Sequence, residues 1–171
     1  MADHQSGDAI FIVYAHSRPG VLAKLAGVFY RRGLDIRTLT VGATREPEMS
    51  KIVLRVAGSQ PELQRIAAAI GNLVDVLSVE VADLDARGAQ ELCLVRVAAR
   101  GAERDAVLAA VRPFDVDLRD GEEHSVVLEL VGAPARLEQF LAALDRFTVL
   151  DISRTGATAL PGLSAPSLRE A

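Results

Sequence analysis

The residues best suited to chemistry in this sequence form the turn Ser17 to Val21, which separates an apolar run from an amphipathic segment. Ser17 is a predicted helix N-cap, and Pro19 suits the first helical position. Gly20 leaves room for a ligand to approach the main chain closely. Because a helix N-terminus carries unpaired N–H groups and a partial positive charge, it favours a carboxylate or a phosphate. The turn is therefore either a site for a small anion, such as the carboxylate of an amino acid, or simply a well-formed turn.

Residues for covalent, acid–base or metal chemistry are sparse. The sequence contains no GxSxG, no glycine-rich phosphate loop and no HExxH, and its three histidines, His4, His16 and His124, are scattered. Its one cysteine, Cys93, lies in an apolar run and is predicted to be a small core residue. We therefore predict no catalytic residue and no metal site in this chain.

The composition is that of a folded protein with an aliphatic core, because 50% of the 171 residues are hydrophobic but only 4% are aromatic. Nineteen basic against 23 acidic residues give a net charge of −4, which argues against nucleic acid or an anionic membrane as partner. No apolar run approaches the roughly 20 residues that a membrane helix needs. The polar start, Met1 to Asp8, lacks the apolar stretch of a secretory signal, so we expect a cytoplasmic protein.

Apolar periodicity in the first half predicts the element order βαββαβ. The predicted strands are Ala9 to Ala15, Asp35 to Ala43, Lys51 to Ala57 and Val74 to Val81, and the turn Thr44 to Ser50 joins the middle two as a hairpin. The two helices have apolar residues at helical spacing, Leu22, Leu25, Ala26 and Phe29 in the first and Leu63, Ile66, Ala67 and Ile70 in the second. Gly33 is the predicted C-terminal stop of the first helix.

The second half repeats this pattern at an offset of 74 positions, which aligns VLRVAG ending at Gly58 with VLELVG ending at Gly132. The same offset aligns Leu63 with Leu137. We therefore predict an α+β protein of two ferredoxin-like βαββαβ domains, residues 9–82 and 90–160, with a linker at 83–89. Residues 1–8 and 161–171 are predicted to be disordered ends.

The first strand, AIFIVYA, predicts an assembly of more than one chain. It is apolar on both faces, whereas the helices of such a domain cover only one face of the sheet. The other face would expose a hydrophobic surface unless a second copy covered it or the strand's edge were paired. We therefore expect a homodimer or a larger oligomer.

Several segments together resemble one family. They are PGVLAKLAGVFYRRGLDIRTLTVGAT from Pro19, SKIVLRV from Ser50, LVDVLSVEVAD from Leu73 and RTG from Arg154. This combination is similar to the small regulatory subunit of acetolactate synthase, also called acetohydroxyacid synthase, whose first domain is an ACT domain. The resemblance extends from about Ile10 to Leu160.

The resemblance implies a non-catalytic subunit that stimulates a catalytic partner and confers feedback inhibition by valine or a related branched-chain amino acid. Thiamine diphosphate, Mg²⁺ and FAD would then belong to the catalytic subunit, and this chain would hold no cofactor. The amino-acid effector would bind between two ACT domains of a homodimer, at Ser17, Pro19, Gly20, Val21, Leu22, Asp35 and Ile36. The hairpin turn would contact the catalytic subunit, through Gly42, Thr44, Pro47 and Ser50.

Two of these positions depart from the family pattern, which commonly has Asn where this chain has Ser17 and Asp35. An amide can donate to the effector's carboxylate, whereas an ionised Asp35 only accepts hydrogen bonds. Asp35 would repel that carboxylate, although it could attract the α-ammonium group. We therefore expect weak sensitivity to valine.

A second function is compatible with the same residues. A divergent ACT-type amino-acid sensor could regulate another enzyme or transcription, although the chain lacks a helix-turn-helix pattern and a basic face. A free-standing enzyme would need a nucleophile, base or metal cluster, and the sequence offers none. An assay of acetolactate formation with and without this chain distinguishes the first two functions.

Overall fold

Two four-stranded antiparallel sheets, each formed by a βαββαβ segment, make up the fold, so the predicted α+β class and the duplicated element order are confirmed. The structure, a computed structural model, describes residues 7–83, 88–119 and 124–161. The described residues divide into a first unit, residues 7–83, 88–89 and 157–161, and a second unit, which lies between Gln90 and Gly156. No helix in these ranges is long and apolar enough to cross a membrane.

The first unit has its strands in the order β2-β3-β1-β4, with β2 at one edge of the sheet. Its elements are β1 (Gly7–His16), α1 (Val21–Tyr30), β2 (Ile36–Ala43), β3 (Met49–Gly58), α2 (Gln60–Gly71) and β4 (Val76–Asp83). The second unit repeats this layout in the order β6-β7-β5-β8. Its elements are β5 (Glu91–Ala98), α3 (Ala102–Val111), β6 (Asp117–Arg119), β7 (Ser125–Gly132), α4 (Pro134–Ala143) and β8 (Val149–Arg154).

The core of the first unit lies between the sheet and its two helices. Alternate residues of β1, such as Phe11, pack against α1, and the rings of Phe11 and Phe29 meet edge to face at 5.5 Å. The buried stripe of α1 consists of Val21, Leu25, Val28 and Phe29. Our predicted stripe was wrong at Leu22, which is 43% exposed, and at Ala26, which is also exposed. These two residues lie on the flank of α1 that faces away from the sheet.

The repeat in the sequence corresponds to a repeated contact. Gly58 and Gly132 each end a strand, and each is followed by a helix whose first buried leucine lies over it. A Cβ added to Gly58 would lie 3.3 Å from Cδ2 of Leu63, and one added to Gly132 would lie 3.5 Å from Cδ1 of Leu137. The glycines therefore allow close packing of helix on strand at equivalent positions of the two units.

The open face of the first sheet is covered by the chain itself, which differs from our expectation that a second copy covers it. Ile10, Ile12 and Val53 are buried in a cluster with Ala89, Ala157 and Ala159. Nζ of Lys51 donates a hydrogen bond of 2.8 Å to the carbonyl of Ala159, and burial lowers the pKa of this amine. Ala157 and Ala159, in the segment that we assigned to the second domain, thus pack on the first sheet. The short residues of the Ala-Thr-Ala segment fit closely on that face but give no periodic signal in the sequence.

The N-terminal boundary also differs from the prediction. β1 begins at Gly7, and Asp8 pairs with Arg55 on β3 and lies 3.6 Å from Nε of Arg37 on β2. These two ion pairs fix the start of β1, although we had predicted that Asp8 belongs to a disordered end. The other residues predicted to be disordered, 1–6 and 162–171, and linker residues 84–87 lie outside the described residues.

Candidate functional site

The turn between β1 and α1 is built around Gly20. Gly20 is the N-cap of α1 and has a φ of 86°, in the left-handed region that glycine adopts without steric cost. No side chain caps the helix, so the prediction that Ser17 is the N-cap was wrong. The helix begins three residues later than a Ser17 N-cap would require, so Pro19 also lies before the helix and not at its first position. The Ser17 hydroxyl instead pairs with that of Ser50 on β3.

A surface cavity of about 130 Å³ lies beside this turn. Its lining comes from the turn, from α1 and from the hairpin strands: His16, Ser17, Arg18, Val21, Leu22, Val41, Ser50 and Ile52. Three of our seven predicted effector residues, Ser17, Val21 and Leu22, line the cavity, and Pro19 and Gly20 belong to the adjoining turn. Ser50, predicted as a catalytic-subunit contact, lines it as well.

Four lining residues were missed by the sequence analysis, namely His16, Arg18, Val41 and Ile52. The hairpin register would have found two of them, because Val41 pairs with Ile52 and both lie on the helix-side face of the sheet. Arg18 lies within the turn that the sequence analysis singled out, but it was not predicted as an effector residue, since its place at the cavity depends on a residue of a distant loop.

That residue is Asp75, whose carboxylate is 8% exposed. Nζ of Lys24 donates to Oδ2 of Asp75 at 2.6 Å, and Nη1 of Arg18 lies 3.7 Å from Oδ1. The carbonyl of Asp75 also accepts a 2.9 Å hydrogen bond from the N–H of His16. The hydrogen bond from Lys24 lowers the pKa of Asp75, and the charges of Lys24 and Arg18 act in the same direction against the opposing effect of burial.

This ion pair makes a stability prediction. Because the pKa of Asp75 is lower in the folded state, its carboxylate stabilises the fold above the unfolded pKa of about 3.9 and this contribution is lost as the pH falls through the folded pKa. Asp75→Asn should therefore lower the urea midpoint at pH 7, and the gap to the natural chain should close below about pH 4. Circular dichroism over a pH series measures this. Asp145→Asn, at an exposed acid of the second unit, is the control, and an equal shift in both variants would contradict the prediction.

The hairpin between β2 and β3 is hydrogen-bonded to the same turn. The N–H of Ser17 donates to the carbonyl of Glu48 at 2.7 Å, next to the Ser17–Ser50 hydroxyl pair. Glu48 has a φ of 62°, which is unusual for a residue with a side chain. Within the hairpin, the hydroxyl of Thr44 accepts from the N–H of Glu46 at 3.1 Å. The hairpin and the cavity are thus parts of one hydrogen-bonded arrangement.

Asp35 and Ile36 lie at the other end of the sheet from the cavity. Ile36 pairs with Val56, which in turn pairs with Ala9 near the start of β1, whereas Val41 pairs with Ile52. The distance along the strand from Ile36 to Val41 is about 17 Å at the usual rise per residue. Within one chain, therefore, the structure does not bring these two predicted effector residues to the other five.

The edge strand β2 exposes apolar side chains. Leu39 and Val41 are 39% and 43% exposed on the helix side of the strand, and within the described sheet β2 pairs only with β3. Unpaired strand edges with apolar side chains are typical of surfaces that pair with another chain.

No group of three or more His, Cys, Asp or Glu residues in the described ranges could hold a metal ion.

Comparison with known proteins identifies the type of domain first. A family model described as the AHAS small subunit-like ACT domain matches residues 11–78, so the first unit is an ACT domain. A second model, described as the small subunit of acetolactate synthase, matches residues 90–162.

Whole-chain relatives extend this identification. The chain is 30% identical to the acetolactate synthase small subunit of Mycolicibacterium smegmatis over 148 residues, 86% of this chain and 87% of that protein. It is 29% identical to a probable acetolactate synthase small subunit of Methanothermobacter thermautotrophicus, covering 94% of this chain and 96% of that one. The solved acetolactate synthase small subunit of Thermotoga maritima matches with a TM-score of 0.79 and 28% identity over 90% of this chain and 96% of that chain. The chain belongs to the acetolactate synthase small-subunit family, as its sequence motifs had indicated.

Proposed function

We propose that this chain is a non-catalytic regulatory subunit that binds the catalytic subunit of an acetolactate synthase and raises its rate. The observation that carries the proposal is the match to small subunits along both units and over most of the length of this chain and of its relatives. On this proposal, thiamine diphosphate, Mg²⁺ and FAD are bound by the catalytic subunit. The chain acts through contacts with that subunit.

The hairpin turn between β2 and β3 is the proposed contact with the catalytic subunit. Its tip, including Pro47, is exposed, and Gly42, Thr44 and Ser50 flank it. Because Ser17 is hydrogen-bonded to Glu48 and Ser50, a ligand that moved the turn would move the hairpin as well. This connection supports a role in which an effector alters stimulation of the catalytic subunit.

The proposed effector is valine or a related small amino acid, bound between two ACT domains of a homodimer. If two chains pair antiparallel along their β2 edges about a two-fold axis, the four-stranded sheets form one sheet of eight strands. The start of one β2 then lies beside the end of the other. The partner subunit's Asp35 and the partner subunit's Ile36 would then complete the cavity at Val41. This pairing would bring all seven predicted effector residues into one shared site.

Stimulation of acetolactate formation tests the function. The chain alone should make no acetolactate from pyruvate, and titrating it into the cognate catalytic subunit should raise the rate until the sites are filled. Pro47→Glu should weaken the apparent affinity about ten-fold or more, because an unpaired carboxylate in a protein interface is costly to desolvate.

The matched control is Pro61→Glu, the same substitution at an exposed proline at the start of α2. Pro61 lies at the opposite end of the sheet from the hairpin, since β3 ends at Gly58 opposite Gly7. This variant should stimulate like the natural chain. A rate that does not change across the titration would refute the proposed function, and equal loss in both variants would refute the hairpin as the contact.

A further inference from the structure

The cavity beside α1 has a polarity that indicates its ligand. Among its lining residues there is one side chain that is always cationic, Arg18, and an apolar wall formed by Val21, Leu22, Val41 and Ile52. The lining contains no carboxylate. A lining of this kind fits a small ligand with an anionic group at one end and a branched apolar group at the other.

The ion pair with Asp75 orients Arg18 but leaves its N–H donors available to a ligand. Its Nη1 lies 3.7 Å from Oδ1 of Asp75, which is beyond hydrogen-bond distance, whereas Lys24 makes a short hydrogen bond to Oδ2. The guanidinium side chain is 64% exposed, and its planar fork of N–H donors matches the geometry of a carboxylate. Arg18, Lys24 and Asp75 together therefore carry one net positive charge.

The position of Asp75 is fixed relative to the cavity. Its carbonyl accepts from the N–H of His16, a lining residue, and its carboxylate is buried. An ion pair with this buried, anchored acid restricts the long Arg18 side chain to the cavity mouth before a ligand binds. Less side-chain entropy is therefore lost when the ligand binds. In addition, the first turn of α1 contains no acidic residue, so its N–H groups add to the positive potential.

The chain's own half of the site offers less to an ammonium group. The hydroxyls of Ser17 and Ser50 pair with each other, and Asp35 lies at the far end of β2. The residues that line the cavity include no acidic side chain for the ammonium, so such a group would come from a second copy, through the pairing that we proposed above. Carboxylate recognition is thus a property of each chain, whereas any contact of the ligand with Asp35 depends on the dimer.

We propose that Arg18, oriented by Asp75, is the carboxylate-binding residue of this cavity, and that the site takes short branched-chain carboxylates with or without an amino group. The ligand class then includes branched-chain 2-oxo acids as well as valine. This inference rests on the proposed effector site and deepens it, because it names the atoms that the ligand must possess.

Calorimetry with three probes tests the proposal on the full chain: L-valine, isovalerate, which lacks the amino group, and L-valinamide, which lacks the carboxylate. Valine and isovalerate should bind, and valinamide should bind at least ten-fold more weakly. Arg18→Gln should weaken both carboxylates about ten-fold or more, and Arg18→Lys should lose less because it keeps the charge without the fork. Arg31→Gln, at an exposed arginine beyond the other end of α1, is the matched control and should bind like the natural chain.

The outcomes separate this inference from the proposed function. Equal binding of valinamide and valine would overturn it, and so would carboxylate binding that Arg18→Gln leaves unchanged. Binding of none of the probes at millimolar concentration would also overturn it. In each case stimulation of the catalytic subunit is decided separately by the rate assay, and circular dichroism of Arg18→Gln shows whether the variant is folded.

Discussion

Leu39→Glu is expected to convert a homodimer of this chain into monomers at micromolar concentration. Leu39 lies at the middle of the eight-residue edge strand β2 and is 39% exposed. In a two-fold pairing of the two edges, the two substituted side chains would lie close to the axis. Like charges facing each other across paired strands are destabilising, and burying them adds a desolvation cost. Light scattering measures the change in mass directly.

The same variant should weaken the binding of ligands without abolishing it, although Leu39 does not line the cavity. The reason is that the monomer lacks the apolar contact of the partner subunit's Ile36, whereas each chain keeps its own Arg18. Leu118→Glu is the matched control, because Leu118 lies on β6, the corresponding edge strand of the second unit, and is 46% exposed. It should remain dimeric. A natural chain that is monomeric at micromolar concentration would refute the shared site.

The element order could be predicted from the sequence because it depends on local signals. Alternating apolar residues indicate strands, and the glycines at the ends of α1, β3 and β7 indicate where elements stop or pack closely. Gly33, for example, lies three residues after the last residue of α1 and has a φ of 65°, the left-handed conformation typical of glycine near a helix C-terminus. The repeat at an offset of 74 positions also supported the prediction, because the same element order was found independently in both halves of the sequence.

The site was predictable only in part because its remaining features depend on long-range contacts. Arg18 is placed by Asp75, which lies on a loop before β4, and the open sheet face is covered by Ala157 and Ala159 near the other end of the chain. Asp35 follows α1 closely in sequence, but the parallel course of β1 and β2 puts it at the opposite end of the sheet from the α1 N-terminus. Strand direction, which residue spacing does not give, therefore decides which predicted residues meet.

The hydrogen bonds between turn and hairpin explain how one small cavity could affect a large partner. Ser17 belongs to the turn at the helix N-terminus, and it bonds the main chain of Glu48 and the side chain of Ser50. Coupling between two sites requires a structural element that both ligands influence. Here the hairpin is such an element, because its strands line the cavity and its tip is the proposed contact with the catalytic subunit.

The proposed shared site predicts the effect of Asp35 on valine binding. When the partner subunit's Asp35 lies at a cavity that already holds the ligand's carboxylate, repulsion between the two costs roughly 1 to 3 kcal/mol, about ten-fold or more in affinity. Ser17→Asn combined with Asp35→Asn should therefore strengthen valine binding about ten-fold in calorimetry. The dimer and the stimulation of the catalytic subunit should be unchanged. Asp115→Asn, at an exposed acid just before β6, is the control and should have no effect.

A comparison of valine with isovalerate decides how Asp35 acts, because the two ligands share the carboxylate and differ in the ammonium group. If Asp35 repels the carboxylate, Asp35→Asn alone strengthens the binding of both ligands. If Asp35 instead pairs with the ammonium group, the same substitution weakens valine and strengthens isovalerate. Low-micromolar binding of valine to the natural chain, together with its loss in Asp35→Asn, would show that the expected repulsion is wrong and that this acid is the amine-binding group of the shared site.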